Sequence, residues 1–405
     1  MMNGYGDVIN KVTDLSRREF LRGSASALCS TSLITQLSAN DDATQSVQAL
    51  ERVKFQTENS ERIEEGRVLI EAQDGGIIFE GRDSRLWTVL PENIVERQSV
   101  EGMKFVPYSA RQLGDRMKLE FGTGYACWEY GPLVICTNAG KNYADWCGQL
   151  FSRLQSSFEK FWRRDNLPII EPEFPLPVCL FANRRKYAEY ALADADASTA
   201  ASYGYYSVKT NRTAMFDITA DEQGAARSIA DVNRRMAKSL SNVATMVHEA
   251  THQFAFNGGL HQRYADNPLW LMEGMAMFFE VPDLKNKSGW ASVGQPNKMR
   301  VAVFANWFKS GQRAKDSLKT LIRDDTRFLD ADTAGVAYAE AWSLTYYLIK
   351  RRREEYTAYL KHVAEKPILK YLTPEERILE FEKFFGEDWA QLEDEMVTLL
   401  KRIRR

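Results

Sequence analysis

The chain has 405 residues, of which 44% are hydrophobic and 12% aromatic, enough apolar material for one large core or two smaller ones. Its 53 basic and 55 acidic residues are interspersed and leave a formal charge of −2, so nothing marks the chain for nucleic acid or an anionic membrane. The expected partner is a peptide, a protein or a small molecule.

In chain order, the first feature is SRREFLRGSASALCSTSLITQLSA, with Arg17 and Arg18 followed by Phe20, Leu21 and a weakly apolar run of Ser and Ala. That run is too short and too polar to stay in a bilayer, so no stable membrane insertion is expected. The segment resembles a twin-arginine export signal over residues 1–39, which implies a periplasmic or extracellular protein. Residues 40–60 are polar and read as a linker. Next, RVLIEAQDGGIIFEGRDSRLWTVLPENI shows short apolar runs broken by turn signals, a small β-rich module over 61–105 with Val68, Ile70, Ile78 and Trp87 as its core.

From about 117 the pattern changes. GYACWEY and PLVICTN read as strands joined by a turn at Gly131-Pro132, which sets Cys127 opposite Cys136, and an oxidising compartment would permit a bridge between them. Buried free thiols are the alternative for these two and for Cys147 and Cys179. KNYADWCGQLFSRLQSSFEKFWRR is an amphipathic helix with Trp146, Leu150, Leu154 and Phe158 on its buried side. A strand in LPVCLFAN, a helix in RRKYAEYALADA and further strands between Gly204 and Phe216 follow, and beyond 230 the chain reads as mostly helical.

The chemistry concentrates in MVHEATHQFAFNGG. Met236, Leu240, Val243, Val247, Ala250 and Phe254 draw one apolar stripe, while His248 and His252, two of only four histidines, lie off it one turn apart. Two imidazoles on one face with Glu249 between them match HExxH, in which the histidines hold a zinc ion and the glutamate takes a proton from its water. A pattern with a third histidine would need it at 258, where Gly258 stands. The helix ends at Asn257-Gly258-Gly259, and a second begins after Asn267-Pro268, with Asp266 or Asn267 available to cap it. Glu273 is a carboxylate among apolar neighbours on that second helix and wants a cation, and Gly274 lets another backbone approach closely. Glu280 and His261 are the competing ligands.

HEATHQ and WLMEGMAMFFE, with twenty residues between His252 and Glu273, resemble the gluzincin branch of the zincin metallopeptidases. The resemblance implies His248, His252 and Glu273 as ligands of one zinc ion per chain and Glu249 as general base. In this chain Met272 stands where Asn or Ser often precedes the glutamate. Gluzincin aminopeptidases place a tyrosine on a later helix to stabilise the oxyanion, and Tyr338 in YAEAWSLTYYLI stands at the corresponding distance; Tyr338, Trp342 and Tyr346 also fit an ordinary packing stripe. Over roughly 117–365 the chain is also similar to a family of uncharacterised bacterial peptidase-MA-like proteins. The implied architecture is α+β: a mixed-sheet lobe over 117–230, active-site helices over 236–280 and a helical lobe over 300–405, a zincin-like domain spanning 117–405. The implied activity is hydrolysis of peptide bonds, with the strands between Gly204 and Phe216 offering an edge to an extended substrate and the run LKNKSGWASVGQPNKMR bordering the cleft. The alternatives are an exported binding or scaffold protein with a catalytically weak zincin domain, and a metal-dependent amidase acting on a non-protein substrate.

Overall fold

Val53 and Phe55 alternate with charged residues in ALERVKFQ, so a strand there can bury one face and solvate the other. The computed structural model, which describes residues 49–403 apart from 59, 166, 221–223, 225, 287 and 288, forms that strand, β1 (Ala49–Gln56). It lies inside the expected 40–60 linker and corrects it: β1 pairs on both sides in the first sheet. With β2 (Glu61–Glu71), β3 (Ile77–Gly81), β4 (Leu86–Val89) and β5 (Ile94–Lys104) it makes an antiparallel sheet of order β4-β3-β2-β1-β5. The small core is Val53, Phe55, Ile77, Phe79 and Val89, with Val68 and Trp87 against it. Ile78 is buried on the opposite face, and Ile70 stays outside the cluster. The expected export segment at 1–39 lies outside the described residues.

The module is clamped to the rest of the chain by buried charge. Glu80 accepts from Arg263 at 2.6 Å and from Arg67 at 2.8 Å, and Leu86 N–H donates to Lys209 C=O at 2.7 Å. Then comes α1 (Ala110–Phe121), a helix the sequence reading does not anticipate. Its signal is the capping box of Ser109 and Gln112, obscured by Gly114 in mid-helix. A Cβ at Gly114 would sit 3.3 Å from that of Cys127, a tight contact between the helix and β6.

The second sheet is mixed: β6 (Ala126–Tyr130), β7 (Leu133–Thr137), β8 (Leu176–Phe181), β9 (Gly204–Tyr206) and β10 (Thr213–Phe216), in the order β6-β7-β8-β10-β9. β7, β8 and β10 run parallel, and β6 and β9 are antiparallel edges. One face is covered by α2 (Lys141–Arg163), which buries Trp146, Leu150, Leu154 and Phe158 as its periodicity predicts. Helices α3 (Arg184–Asp194) and α4 (Ala197–Ala201) connect β8 to β9.

The rest is helical: α5 (Ile229–Met236), α6 (Leu240–Asn257), α7 (Leu269–Phe279), α8 (Lys298–Ser310), α9 (Ser317–Arg323), α10 (Thr326–Leu329), α11 (Ala334–Arg351), α12 (Arg353–Ala364), α13 (Pro374–Phe385) and α14 (Trp389–Ile403). The apolar stripe expected to run unbroken from Met236 is divided, because the chain turns between α5 and α6 and leaves Leu240 exposed at the start of α6. Gly258 and Gly259 end α6 where expected, Gly259 at φ +80°. Neither Asp266 nor Asn267 caps α7; the Leu269 N–H is taken at 3.2 Å by Asp325, while Asp266 pairs with Arg377 and Lys366. No helix among the described residues is long and apolar enough to cross a membrane.

Helix α7 is pressed against α11 at Gly274, where a Cβ would fall 2.0 Å from Thr345 Oγ1 and 3.0 Å from the Ala341 carbonyl oxygen. Gly274→Ala is therefore expected to cost about 1–3 kcal/mol through overpacking, read as a fall in Tm, with the shift absent if the helices stand further apart. A second expectation concerns Cys127 and Cys136, directly paired across β6 and β7 as the Gly131-Pro132 turn predicts. Counting from the Tyr130–Leu133 closing pair puts them at a non-hydrogen-bonded position, where Cα atoms are about 4.5 Å apart, within disulfide range. Oxidation with glutathione disulfide should remove two titratable thiols and add roughly 2–3 kcal/mol of stability, and an unchanged thiol count would refute it.

Candidate metal centre

On α6 the helical repeat puts His248 and His252 one turn apart, and packing of α7 across α6 brings Glu273 to them. The His252 and His248 Nε2 atoms stand 3.1 Å apart, and Glu273 Oε2 lies 3.0 Å from His248 Nε2 and its Oε1 3.6 Å from His252 Nε2. Their ligand atoms all lie within 4.8 Å of one another, the only such group of His, Cys, Asp and Glu side chains among the described residues. Behind them, Glu280 Oε2 lies 2.9 Å from His248 Nδ1. Asn297 Nδ2 donates to Glu280 Oε1 at 2.5 Å and Arg300 Nε at 3.3 Å.

This geometry fits a cation. A carboxylate at Nδ1 fixes the proton of a neutral His248 on that side and turns the Nε2 lone pair toward His252 and Glu273. Two imidazole nitrogens and a carboxylate then face one another in a buried space, and a shared positive charge resolves the conflict. Burial alone would lower the His248 pKa, but hydrogen bonds to Glu273 and Glu280 and the charges of Glu273 and Glu249 push it up to about 10. Burial would raise Glu273, yet the His252 and His248 imidazoles hold its carboxyl well below the usual range. The buried His248, His252 and Glu273 group can bind a metal ion.

Glu249 is also buried, and desolvation raises its pKa against the pull of His248 and His252. One carboxylate oxygen accepts from the Tyr206 N–H at 2.9 Å, tying α6 to the sheet edge at β9. That edge differs from the expectation of an open strand. Gly204 to Tyr206 are buried, the Gly204 N–H and C=O are both engaged by Ser202 Oγ, and Tyr206 N–H is taken by Glu249. The open space lies on the other side: a cleft of about 890 Å³ bordered by His248, Glu249 and Glu280, by the start of α6 and by residues 295–302. The run expected to border the cleft does so through its last six residues, Gln295 to Arg300.

Tyr338 is on α11, buried against Phe328, with Arg300's guanidinium carbon 5.8 Å from its ring centroid. Burial raises its phenol well above the ordinary value, with the charges of Glu273 and Glu249 adding to the rise and Arg300 opposing it. Two residues on, the buried Glu340 takes Arg313 at 2.7 Å and Arg327 at 2.8 Å, which anchors α11. Of the competing ligands, Glu280 stands behind His248 and His261 is outside the trio, its imidazole held down at about 3 by burial. Two helical turns between Glu273 and Glu280 could have suggested the backing role; the run expected to border the cleft contains Asn297 and Arg300, but nothing in the sequence singles them out as partners of Glu280.

Residues 242–370 match the model of a family described as "Protein of unknown function (DUF1570)". The matched span runs from α6 into the segment after α12 and contains His248, Glu249, His252, Glu273, Glu280, Arg300 and Tyr338. No curated protein matches the chain.

Metal uptake must displace the proton that the centre otherwise holds. His248 has a folded pKa of about 10 against 6.5 when unperturbed, so its proton stabilises the metal-free protein fully below the lower value and that contribution is lost as pH rises through the higher. Titration with a divalent metal at about pH 7.5 should release close to one proton, and affinity should rise with pH. Calorimetry in buffers of different ionisation enthalpy reads this directly, and a heat independent of buffer would contradict it.

Proposed function

We propose that this protein is a zinc-dependent peptidase, exported through the twin-arginine route, in which His248, His252 and Glu273 hold one zinc ion. The observation that supports the reading is that trio, with its His248 and the neighbouring buried Glu249 of raised pKa both lining an open cleft. Imidazole nitrogen and one carboxylate are ligands zinc takes readily, and three protein ligands leave the position that hydrolysis needs. Bound zinc supplies Lewis acidity toward a scissile carbonyl and toward water.

The chain's own residues supply the rest. Glu249, anchored through one oxygen by Tyr206 N–H, receives the proton of the attacking water on the other and passes it to the leaving nitrogen. Its raised pKa brings it nearer the value suited to both steps. Tyr338, whose phenol remains protonated, donates a hydrogen bond to the developing oxyanion. Glu280 holds the His248 ring in register. The export part of the reading rests on Arg17-Arg18 and the weakly apolar run after them.

The test is cleavage of a mixed peptide library by zinc-loaded protein. Glu249→Gln should retain zinc and lose cleavage by about a hundredfold or more, and Tyr338→Phe should lower kcat by roughly tenfold to a hundredfold with zinc retained. Cleavage undiminished by Glu249→Gln removes the general base; one zinc per chain with no cleavage of any peptide favours a binding protein instead.

A further inference from the structure

Arg300 is a buried guanidinium with one side committed. It is 9% exposed, and its Nε donates to Glu280 Oε1 at 3.3 Å. Among the described residues no acceptor meets its Nη atoms, and Glu280 is its only ion-pair partner. That carboxylate is already shared with His248 and Asn297, so the arginine's charge is only partly balanced. The Nη groups keep an accessible edge on the cleft, where a ligand can complete their hydrogen bonding. The side chain belongs to the cleft wall, one carboxylate away from the His248 ring and beside Tyr338.

The remaining cleft wall is mostly apolar, with Leu240, Ala244, Val281, Pro296 and Met299 on it, and Lys298 adds a second positive charge. Beyond the metal centre's own His248, Glu249 and Glu280, the charged groups bordering the cleft are both cations. A planar guanidinium offering the paired N–H groups of its Nη edge matches the two oxygens of a carboxylate. A substrate that satisfies both features has an apolar side chain and, close to the scissile bond, a carboxylate.

We propose that Arg300 is the anchor for a peptide carboxylate and thereby selects substrates cleaved next to an apolar residue and within reach of a negative charge. The proposal rests on the peptidase reading for the bond that is cut, but the binding step can be measured without turnover. The carboxylate can come from the peptide's C-terminus or from an acidic side chain, and the two are separable.

The experiment uses the full chain carrying Glu249→Gln, loaded with zinc, and measures binding of a leucine-rich acetylated tetrapeptide as free acid and as C-terminal amide. Two further amides carry Asp or Asn beside the leucine. The free acid is expected to bind about tenfold or more tightly than its amide, if the terminus is the source. Recovery of affinity in the Asp amide but not the Asn amide assigns the side chain instead. Adding Arg300→Gln should bring the tight ligand down to the level of the plain amide and leave the amide unchanged, with zinc content held at one per chain. In Glu249-intact protein the same substitution should raise KM for the carboxylate substrate with little change in kcat.

Equal affinity of acid, amide and Asp amide overturns the proposal, and so does an equal loss for all of them in Arg300→Gln, which would mark Arg300 as a support for Glu280 only. The acid-against-amide comparison needs no Arg300 variant, so a misfolded substitution does not remove the test. Failure to cleave any peptide with zinc bound would overturn the peptidase reading while the binding comparison still decides the role of Arg300.

Discussion

Two imidazole nitrogens 3.1 Å apart with a carboxylate oxygen 3.0 Å from one of them can coexist in a protein interior only around a shared positive charge. Much of the surrounding structure serves to keep those three groups together. Helix α6 supplies both rings through its one-turn repeat, and its own position is fixed where Glu249 accepts from Tyr206 at the edge of the mixed sheet. Helix α7 supplies the carboxylate and is held at its N-terminus by Asp325, at its middle by the absence of a side chain at Gly274, and beyond its end by the partners of Glu280.

Charge burial recurs wherever elements distant in sequence must meet. Glu340 on α11 takes Arg313 and Arg327, Asp266 takes Arg377 and Lys366, and Glu80 joins the first sheet to Arg263. Buried pairs of this kind are poor sources of net stability, since desolvation cancels much of the attraction, but breaking one partner leaves an uncompensated charge. They therefore specify which helix meets which. The register of α11 matters most, because it places Tyr338 against Phe328 and Arg300 and Thr345 over Gly274.

The centre is asymmetric. One side is bounded by β9, whose Gly204 N–H and C=O are engaged by Ser202 and whose Tyr206 N–H is engaged by Glu249; the other opens to a cleft with apolar walls and cationic groups. A substrate gripped there would be recognised by side chains and charge more than by strand addition. In this arrangement the carboxylate that aligns the His248 ring also orients Arg300, so the residues shaping the centre and those facing a ligand are linked through Glu280.

The sequence by itself determined the local geometry: the one-turn spacing of His248 and His252, the end of α6 at Gly258-Gly259, the buried side of α2, the cross-strand position of Cys127 opposite Cys136 and the need for a small residue at Gly274. These follow from helical and strand periodicity, which act over a few residues and are written in their order. It did not determine β1, whose charged residues mimic a linker, or α1, whose Gly114 weakens the helical signal, or the break between α5 and α6. Only the tertiary structure decided that Glu273 meets the two rings while Glu280 stands behind one of them, that Asp325 caps α7, and that Asn297 and Arg300 complete the surroundings. Those are choices among several carboxylates and cations of equal local character, and packing settles them because a buried charge is stable only where its partners converge.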